Sequence, residues 1–237
     1  SDHGEMLGQQ GARGKLVPWE ESIRVPTLIY HPDLKKQQKC ESIISNIDLV
    51  PTILEFSGLD KDTINTNYPE LKGTSFANLV ENVDHKNNRD NEGHLIHGVQ
   101  IIPTVFNVAE KFRHIGLADS LIDKFKAFAT KGNFLPDFSP PLNYKGVVDK
   151  RYKFIRYFSP RENNIPNTFA ELSNNNASFQ LYDLLNDPYE MHDISKTENN
   201  KGLLMSMNDK LNKLTDKEIG LENHILHLPG PDWFWTT

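Results

Sequence analysis

The first fifteen residues contain the feature that most restricts what this chain can form. Gly8, Gly11 and Gly14 recur at every third position, and Lys15 follows the last of them. A loop with glycine at this spacing can bring its backbone close to a ligand. The lysine at its end adds a flexible positive charge that suits an oxyanion. The spacing therefore indicates an anion-binding loop, with a plain surface ammonium as the alternative for Lys15.

A second candidate site precedes this loop. Asp2 and His3 are adjacent, and we expect them at the carboxyl end of a strand, with Gly4 letting the backbone turn sharply away. A carboxylate and an imidazole presented together can hold a divalent cation. The pair therefore indicates a metal site, and a solvated loop pair is the alternative.

Composition narrows the possible functions. The chain has 237 residues and 26 Lys+Arg against 32 Asp+Glu, a net charge of −6, which argues against a nucleic-acid partner. No apolar run approaches the roughly 20 residues that span a bilayer. The single cysteine, Cys40, excludes an internal disulfide framework and a multi-cysteine zinc site. These features predict one large domain, or one domain with a small appendage.

The first sixty residues predict two strands and a helix. Residues 24–30 are rich in β-formers and apolar, which favours a buried strand, and a shorter run at 42–44 favours a second one. Residues 46–58 fit a helix that Asp48 can cap and Gly58 can end.

The remainder alternates between polar loops and regular patterns. Residues 60–93 are rich in Asn, Asp and Lys, and predict a surface loop with one helical turn near 75–80. Helical spacing at 106–129 predicts two short amphipathic helices. Further on, the patterns predict two strands of a half-solvated antiparallel sheet around 149–151, a third strand at 179–184 and a helix at 201–214.

Several segments resemble one enzyme family. Their order and spacing are similar to those of the sulfatases, in the alkaline-phosphatase-like superfamily, whereas residues 60–145 carry little recognisable resemblance. The matching segments are Ser1–Gly8, Gly11, Gly14–Lys15, Pro18–Pro26, Ser45–Leu54, Arg151–Ile155 and Leu181–Glu190.

The resemblance implies an α/β fold in three parts. Residues 1–60 would be the C-terminal part of the mixed-sheet catalytic domain of an alkaline-phosphatase-like protein. Residues 61–145 would be an irregular and helical connection. Residues 146–237 would form a small subdomain of antiparallel sheet and helix.

The resemblance also implies roles for single residues. Asp2 and His3 stand where sulfatases bind their divalent cation, usually Ca²⁺, with Mn²⁺ or Mg²⁺ as alternatives. Lys15 stands where the family contacts the sulfate group. Trp19 would line the substrate entrance or simply pack, and Glu20, with its neighbours Glu21 and Arg24, would form a structural ion pair beneath the site.

The nucleophile of the family is missing from this sequence. Sulfatases use a formylglycine made from the Cys or Ser of a Cys/Ser-x-Pro/Ala-x-Arg motif, and the sequence around Cys40 has neither the Pro/Ala nor the Arg. We expect Cys40 to be a small, partly buried residue. We also expect that the half carrying the nucleophile lies upstream of Ser1, and that this chain alone is inactive.

The implied activity is that of a sulfuric ester hydrolase, similar to the arylsulfatases, acting on a sulfated small molecule or glycan. One alternative is a phosphate or phosphonate hydrolase of the same superfamily. Another is a non-catalytic sulfatase-like fragment that binds a glycan or a partner chain. The resemblance is compatible with a periplasmic, secreted or lysosomal location.

Overall fold

The computed structural model describes residues 1–32, 34, 36–99, 143–158, 165–173 and 178–220. Over these ranges the chain is a mixed α/β structure built around a four-stranded antiparallel sheet. The predicted helices within 106–129 lie outside the described residues. The division of the chain at residues 60 and 145 stays a prediction.

The sheet has the strand order β1-β2-β3-β4, and each strand is antiparallel to its neighbours. The predicted strands around residues 149–151 and at 179–184 are confirmed. The first strand was not predicted, because its partner in the sheet lies more than forty residues further along the chain. The strands are β1 (His94–Val99), β2 (Asn143–Val148), β3 (Tyr152–Phe158) and β4 (Ser178–Asp183).

One face of the sheet packs against α7 (Lys201–Glu218), which confirms the predicted helix and extends it by four residues. The buried residues of α7 recur at intervals of three and four, so they lie along one side of the helix. No helix in the part of the chain that the structure describes is long and apolar enough to cross a membrane. This core consists of Val147, Phe154, Leu172, Leu181, Leu204, Met207, Leu211 and Leu214.

The opposite face of the sheet is also covered, so the expectation of a half-solvated sheet is wrong. Ile96, Ile155 and Tyr182 are buried there, and Ile23 of the short helix α1 (Glu20–Ile23) packs against them. The polar positions of β3 that suggested a wet face are themselves buried. Lys153 and Arg156 each have a relative exposure of 0%, because other elements supply their partners.

The expected strand at residues 24–30 is not formed. Leu28 is 98% exposed and Tyr30 is 89% exposed, and the described residues before 94 contain no strand. β-forming side chains favour a strand only where a neighbouring strand completes the hydrogen-bond ladder.

The second expected strand, at 42–44, is held by side chains instead of by a ladder. Ile43 donates its N–H to Oδ1 of Asp90 (2.9 Å), and Nδ2 of Asn87 donates to the Ile43 carbonyl (2.6 Å). Both backbone groups are therefore satisfied without strand pairing.

The predicted helix at 46–58 is confirmed as a turn of 3₁₀ helix, Asn46–Asp48, that runs into α2 (Leu49–Phe56). Ser45 and Asp48 form a reciprocal capping box. Gly58 ends the helix with a φ of 96°, and the N–H of Leu59 reaches back to the Leu54 carbonyl (3.2 Å). This left-handed C-terminal turn is one that glycine adopts readily.

Residues 60–93 contain more helix than predicted. Three short helices occur where a loop with one turn was expected: α3 (Lys61–Asn67), α4 (Ala77–Glu81) and α5 (Arg89–Glu92). Asp60 caps α3 by accepting from the backbone of Thr63 (2.9 Å). The polar composition that indicated a loop therefore includes helix-capping residues. A fourth short helix, α6 (Phe169–Leu172), lies between β3 and β4.

A buried ion pair joins these helices to α7. Arg89 is 3% exposed and Asp48 is 1% exposed, and the guanidinium donates to both carboxylate oxygens of Asp48 through Nε (2.5 Å) and Nη2 (2.7 Å). Nη1 of Arg89 donates to Glu218 at the end of α7 (2.9 Å). Asp48 also accepts from the backbone N–H groups of Ser45 and Thr74. Arg89 therefore compensates charges from two elements at once.

Replacing Arg89 with alanine is expected to lower the free energy of unfolding by about 3–5 kcal/mol, because Asp48 and Glu218 lose their counter-charge in a buried position. The matched control is Arg151→Ala, which removes a half-exposed pair with Asp183 and is expected to cost much less than the loss of the buried pair. Urea unfolding of both variants checks the difference. Equal losses would show that the buried pair is not a special source of stability.

His94 is expected to make stability depend on pH. Burial lowers the pKa of its imidazole to about 4, against an opposing effect of Glu20, so the folded chain keeps it neutral where the unfolded chain protonates it. The stabilisation is complete above about pH 6.5 and is lost as the pH falls toward 4. His94→Gln should therefore destabilise the chain by about 1–2 kcal/mol less at pH 5 than at pH 7. Thermal melting at both pH values measures this loss of stability, with the exposed His85→Gln as the control. A loss that is the same at both pH values would contradict the prediction.

Candidate functional site

The side chains of Asp2, His3 and Lys15 converge. Nε2 of His3 lies 2.5 Å from Nζ of Lys15 and 3.3 Å from Oδ2 of Asp2. The three groups come from the two ends of one loop, so the loop must close on itself to bring them together. The two sites suggested separately by the sequence are thus one cluster.

The hydrogen bonds of His3 fix which ring nitrogen carries the proton. Nδ1 lies 2.8 Å from the carbonyl oxygen of Gly4, which can only accept, so Nδ1 of the neutral ring is the donor. Nε2 of that tautomer carries the lone pair, and this is the atom that faces Asp2 and Lys15. It can accept a hydrogen bond from an ammonium or bind a cation.

Asp2 is presented as a carboxylate. A hydrogen bond from its own backbone N–H is the largest effect that lowers its pKa, and His3 adds to it. Its side chain is 83% exposed. The carboxylate therefore stands next to the lone pair of His3 and remains open to a ligand from solvent.

The loop between these ends has the conformation that its glycines predict. Gly8, Gly11 and Gly14 have φ values of 105°, 70° and 81°, a region that other residues rarely adopt. The fully buried Met6 anchors the loop, and its N–H donates to the Gly14 carbonyl (2.9 Å). This bond sets Lys15, the next residue, close to the start of the loop.

Gly4 serves a different purpose from the predicted one, since its φ is not positive. A Cβ on Gly4 would lie 2.0 Å from the carbonyl oxygen of Glu21, and the Gly4 N–H donates to the Ser22 carbonyl (2.8 Å). Glycine is needed here because α1 passes too close for a side chain. The Gly4 segment thus bonds to this helix, and the expected place of Asp2 and His3 at the carboxyl end of a strand stays a prediction.

Glu20 forms the expected structural ion pair, but with a different partner. Its Oε1 lies 2.8 Å from Nζ of Lys153, whereas its distance to Arg24 is 3.9 Å and Arg24 is 82% exposed. Lys153 also donates to the Pro18 carbonyl (3.0 Å). Sequence reasoning missed Lys153; the apolar residues on either side of it in β3 were the only local sign of its burial.

Two further expectations concern single residues. Trp19 is half-buried beside the hydroxyl of Tyr182, whose pKa is raised to about 12 by burial. This position agrees with packing, and a role at the substrate entrance stays a prediction. Cys40 is exposed, so the expectation that it is partly buried is wrong; the segment around it lies on the surface.

The donors for a cation are limited. Across the described ranges, no group of three or more His, Cys, Asp or Glu side chains could hold a metal ion. Asp2 and His3 together offer a carboxylate oxygen and an imidazole nitrogen that face the same point. This donor pair suits a divalent cation as part of a larger ligand set, since calcium takes six or more donors.

Comparison with known proteins places this cluster in a family context. A family model described as Sulfatase matches residues 1–59. An ulvan-active sulfatase of Formosa agariphila is 36% identical over 95 residues, which covers 38% of this chain and 17% of that protein. An extracellular sulfatase SULF-1 homolog of Drosophila melanogaster is 43% identical over 60 residues, covering 25% of this chain and 5% of that protein. The chain thus spans less than a fifth of the length of these relatives.

Solved structures extend the similarity over nearly all of the chain. BT4656, in complex with its substrate D-glucosamine-2-N,6-O-disulfate, matches with a TM-score of 0.60 and 18% identity, over 94% of this chain and 35% of that one. A phosphonate monoester hydrolase of Agrobacterium radiobacter matches with a TM-score of 0.56 and 21% identity, over 92% and 34%. At these identities the likeness establishes the fold, which is alkaline-phosphatase-like. The family likeness of the sequence lies in residues 1–59, which match the sulfatase model.

Proposed function

We propose that this chain supplies the cation- and sulfate-binding loop of an enzyme that hydrolyses sulfate esters. The observation that carries the proposal is the convergence of Asp2, His3 and Lys15 on one point. All three lie within the region that matches the sulfatase family. Their charges suit a divalent cation beside a sulfate group.

Each residue has a distinct part in the proposed chemistry. The ammonium of Lys15 would contact the sulfate oxygens and stabilise the negative charge that develops in the transition state. Asp2, as a carboxylate, and His3, through Nε2, would hold the cation, for which Ca²⁺ is the first candidate and Mn²⁺ or Mg²⁺ the alternatives. When bound, the cation would neutralise charge on the sulfate.

The nucleophile would come from outside these residues. The 237 residues contain no Cys/Ser-x-Pro/Ala-x-Arg motif from which a formylglycine could be made. We therefore propose that this chain acts together with a polypeptide region that carries the formylglycine and further cation ligands. These 237 residues alone would not turn over a sulfate ester.

The names of the relatives suggest a substrate class and a location. One relative is named as active on ulvan, and one structural neighbour holds a sulfated glucosamine as its substrate. We propose a sulfated glycan or small sulfated sugar as the substrate here. The extracellular relative supports a location outside the cytoplasm, such as secretion.

A phosphonate or phosphate ester hydrolase is the second candidate. The fold likeness to a phosphonate monoester hydrolase favours it, with a TM-score close to that of the sulfatase neighbour. The match of residues 1–59 to the sulfatase family favours sulfate. Comparing the hydrolysis of 4-nitrophenyl sulfate and 4-nitrophenyl phosphate by the protein from its source separates the two.

Replacing Lys15 with alanine is expected to reduce kcat/KM for 4-nitrophenyl sulfate by about 10²-fold or more, because a charge placed at the developing oxyanion is lost. The matched control is Lys72→Ala, which removes an exposed lysine far from the loop in sequence. The assay uses the protein that carries this chain, with any polypeptide that accompanies it in its source. Equal activity of both variants would show that Lys15 takes no part in the reaction.

The cation is expected to bind through Asp2. Dialysis against a chelator should abolish hydrolysis, and added Ca²⁺ should restore it. Asp2→Asn should weaken Ca²⁺ binding at least tenfold in a calorimetric titration, because the charged donor is lost. Exposed Asp62→Asn serves as the control for general charge effects. Unchanged Ca²⁺ affinity in Asp2→Asn would contradict the assignment.

A further inference from the structure

The loop that carries Lys15 has little packing of its own. A Cβ at Gly8, Gly11 or Gly14 would find nothing within 4 Å, so the loop lies in open space at these positions. Its internal bonds, from Met6 to Gly14 and from Gly8 to Ala12, close the loop but do not attach its tip to the body of the protein. Some other contact must hold the tip.

Gln10 at the tip makes that contact. Its Nε2 donates to the backbone carbonyl of Tyr189 (2.6 Å), and it also lies 3.3 Å from the Glu190 carbonyl and 3.4 Å from Sδ of Met191. Gln10 itself has a φ of 52°, a region that residues other than glycine rarely adopt. The amide thus joins residues 179 positions apart in the sequence.

The turn that receives this hydrogen bond is firmly held. Glu190 is 3% exposed, its Oε1 lies 2.6 Å from Lys153, and its Oε2 accepts from the backbone N–H of Glu20 (2.7 Å). The carboxylate of Asp187 accepts from the backbone of Met191 (3.1 Å) and of its neighbour. The Tyr189 carbonyl is therefore a fixed acceptor, tied to β3 through a buried lysine.

We propose that Gln10 is a positioning residue for Lys15. It fastens the tip of the glycine-rich loop to the turn 187–191 after β4, and so sets where the ammonium stands relative to His3. The inference rests on the proposed function, because Lys15 must contact the sulfate for its position to matter to the rate. It gives the turn after β4 an indirect part in the site, through one side-chain amide.

The first measurement needs no activity. Hydrogen–deuterium exchange over residues 5–16 should be faster in Gln10→Ala and in Gln10→Glu, because neither side chain can donate to the Tyr189 carbonyl when Glu is ionised. Gln10→Lys keeps a donor of similar reach and should restore most of the protection. Exposed Gln9→Ala, one position earlier in the same loop, should exchange like the unaltered chain. Unchanged exchange in both Gln10→Ala and Gln10→Glu would overturn the proposal.

The second measurement is a double-mutant cycle on the active preparation. Gln10→Ala should lower kcat/KM for 4-nitrophenyl sulfate roughly tenfold, and Gln9→Ala should not. In a Lys15→Ala background, Gln10→Ala should have no further effect, because it acts only through that ammonium. A full tenfold effect in that background would overturn the positioning role. If the unaltered protein does not hydrolyse the ester, the proposed function fails, and the exchange measurement still decides whether Gln10 holds the loop.

Discussion

The buried ammonium of Lys153 is the constraint on which the arrangement of the chain depends. It has a relative exposure of 0%, and its partners are Glu20 (2.8 Å), Glu190 (2.6 Å) and the Pro18 carbonyl (3.0 Å). An uncompensated charge at such a position costs about 3–5 kcal/mol. β3 can therefore bury this lysine only while the N-terminal segment and the turn after β4 are both in place.

The contacts of Lys153 connect the sheet to the candidate site through a short series of hydrogen bonds. Glu20 begins the single turn of α1, and the carbonyl of Ser22 in that turn accepts the N–H of Gly4, the residue after Asp2 and His3. A second connection runs through the 3₁₀ turn, where Nδ2 of Asn46 donates to the Asp2 carbonyl (3.4 Å). Buried polar clusters that are distant in the sequence therefore hold the site in its geometry, because the loop has little packing of its own.

Sequence reasoning succeeded where the determinants are local. The helix at 46–58 was predictable because Ser45, Asp48 and Gly58 act within a few residues of one another. Asp2, His3 and Lys15 were each predicted as site residues, and their convergence, which the sequence did not show, results from the closing of one short loop. The partners of Arg89 and Lys153 could not be predicted, because they are far away in the sequence. Those of Arg89 lie at least 41 positions away, and those of Lys153 at least 37. Residues 24–30 carry a strand pattern, but the pattern does not say which segment would pair with it, and these residues form no strand and are mostly exposed.

The exposure of the cluster bears on how strongly it could act. Asp2 has 83% of its side chain in solvent and His3 has 36%, so water screens the charges around Lys15. Electrostatic stabilisation of a transition state is strongest where water is excluded and the charges are already oriented. In this chain the buried polar clusters and Gln10 orient the charges of the site. The residues that the structure describes do not exclude water from it. For the proposed hydrolysis, a second surface must therefore cover Asp2 and Lys15, and the region that brings the nucleophile would serve this purpose.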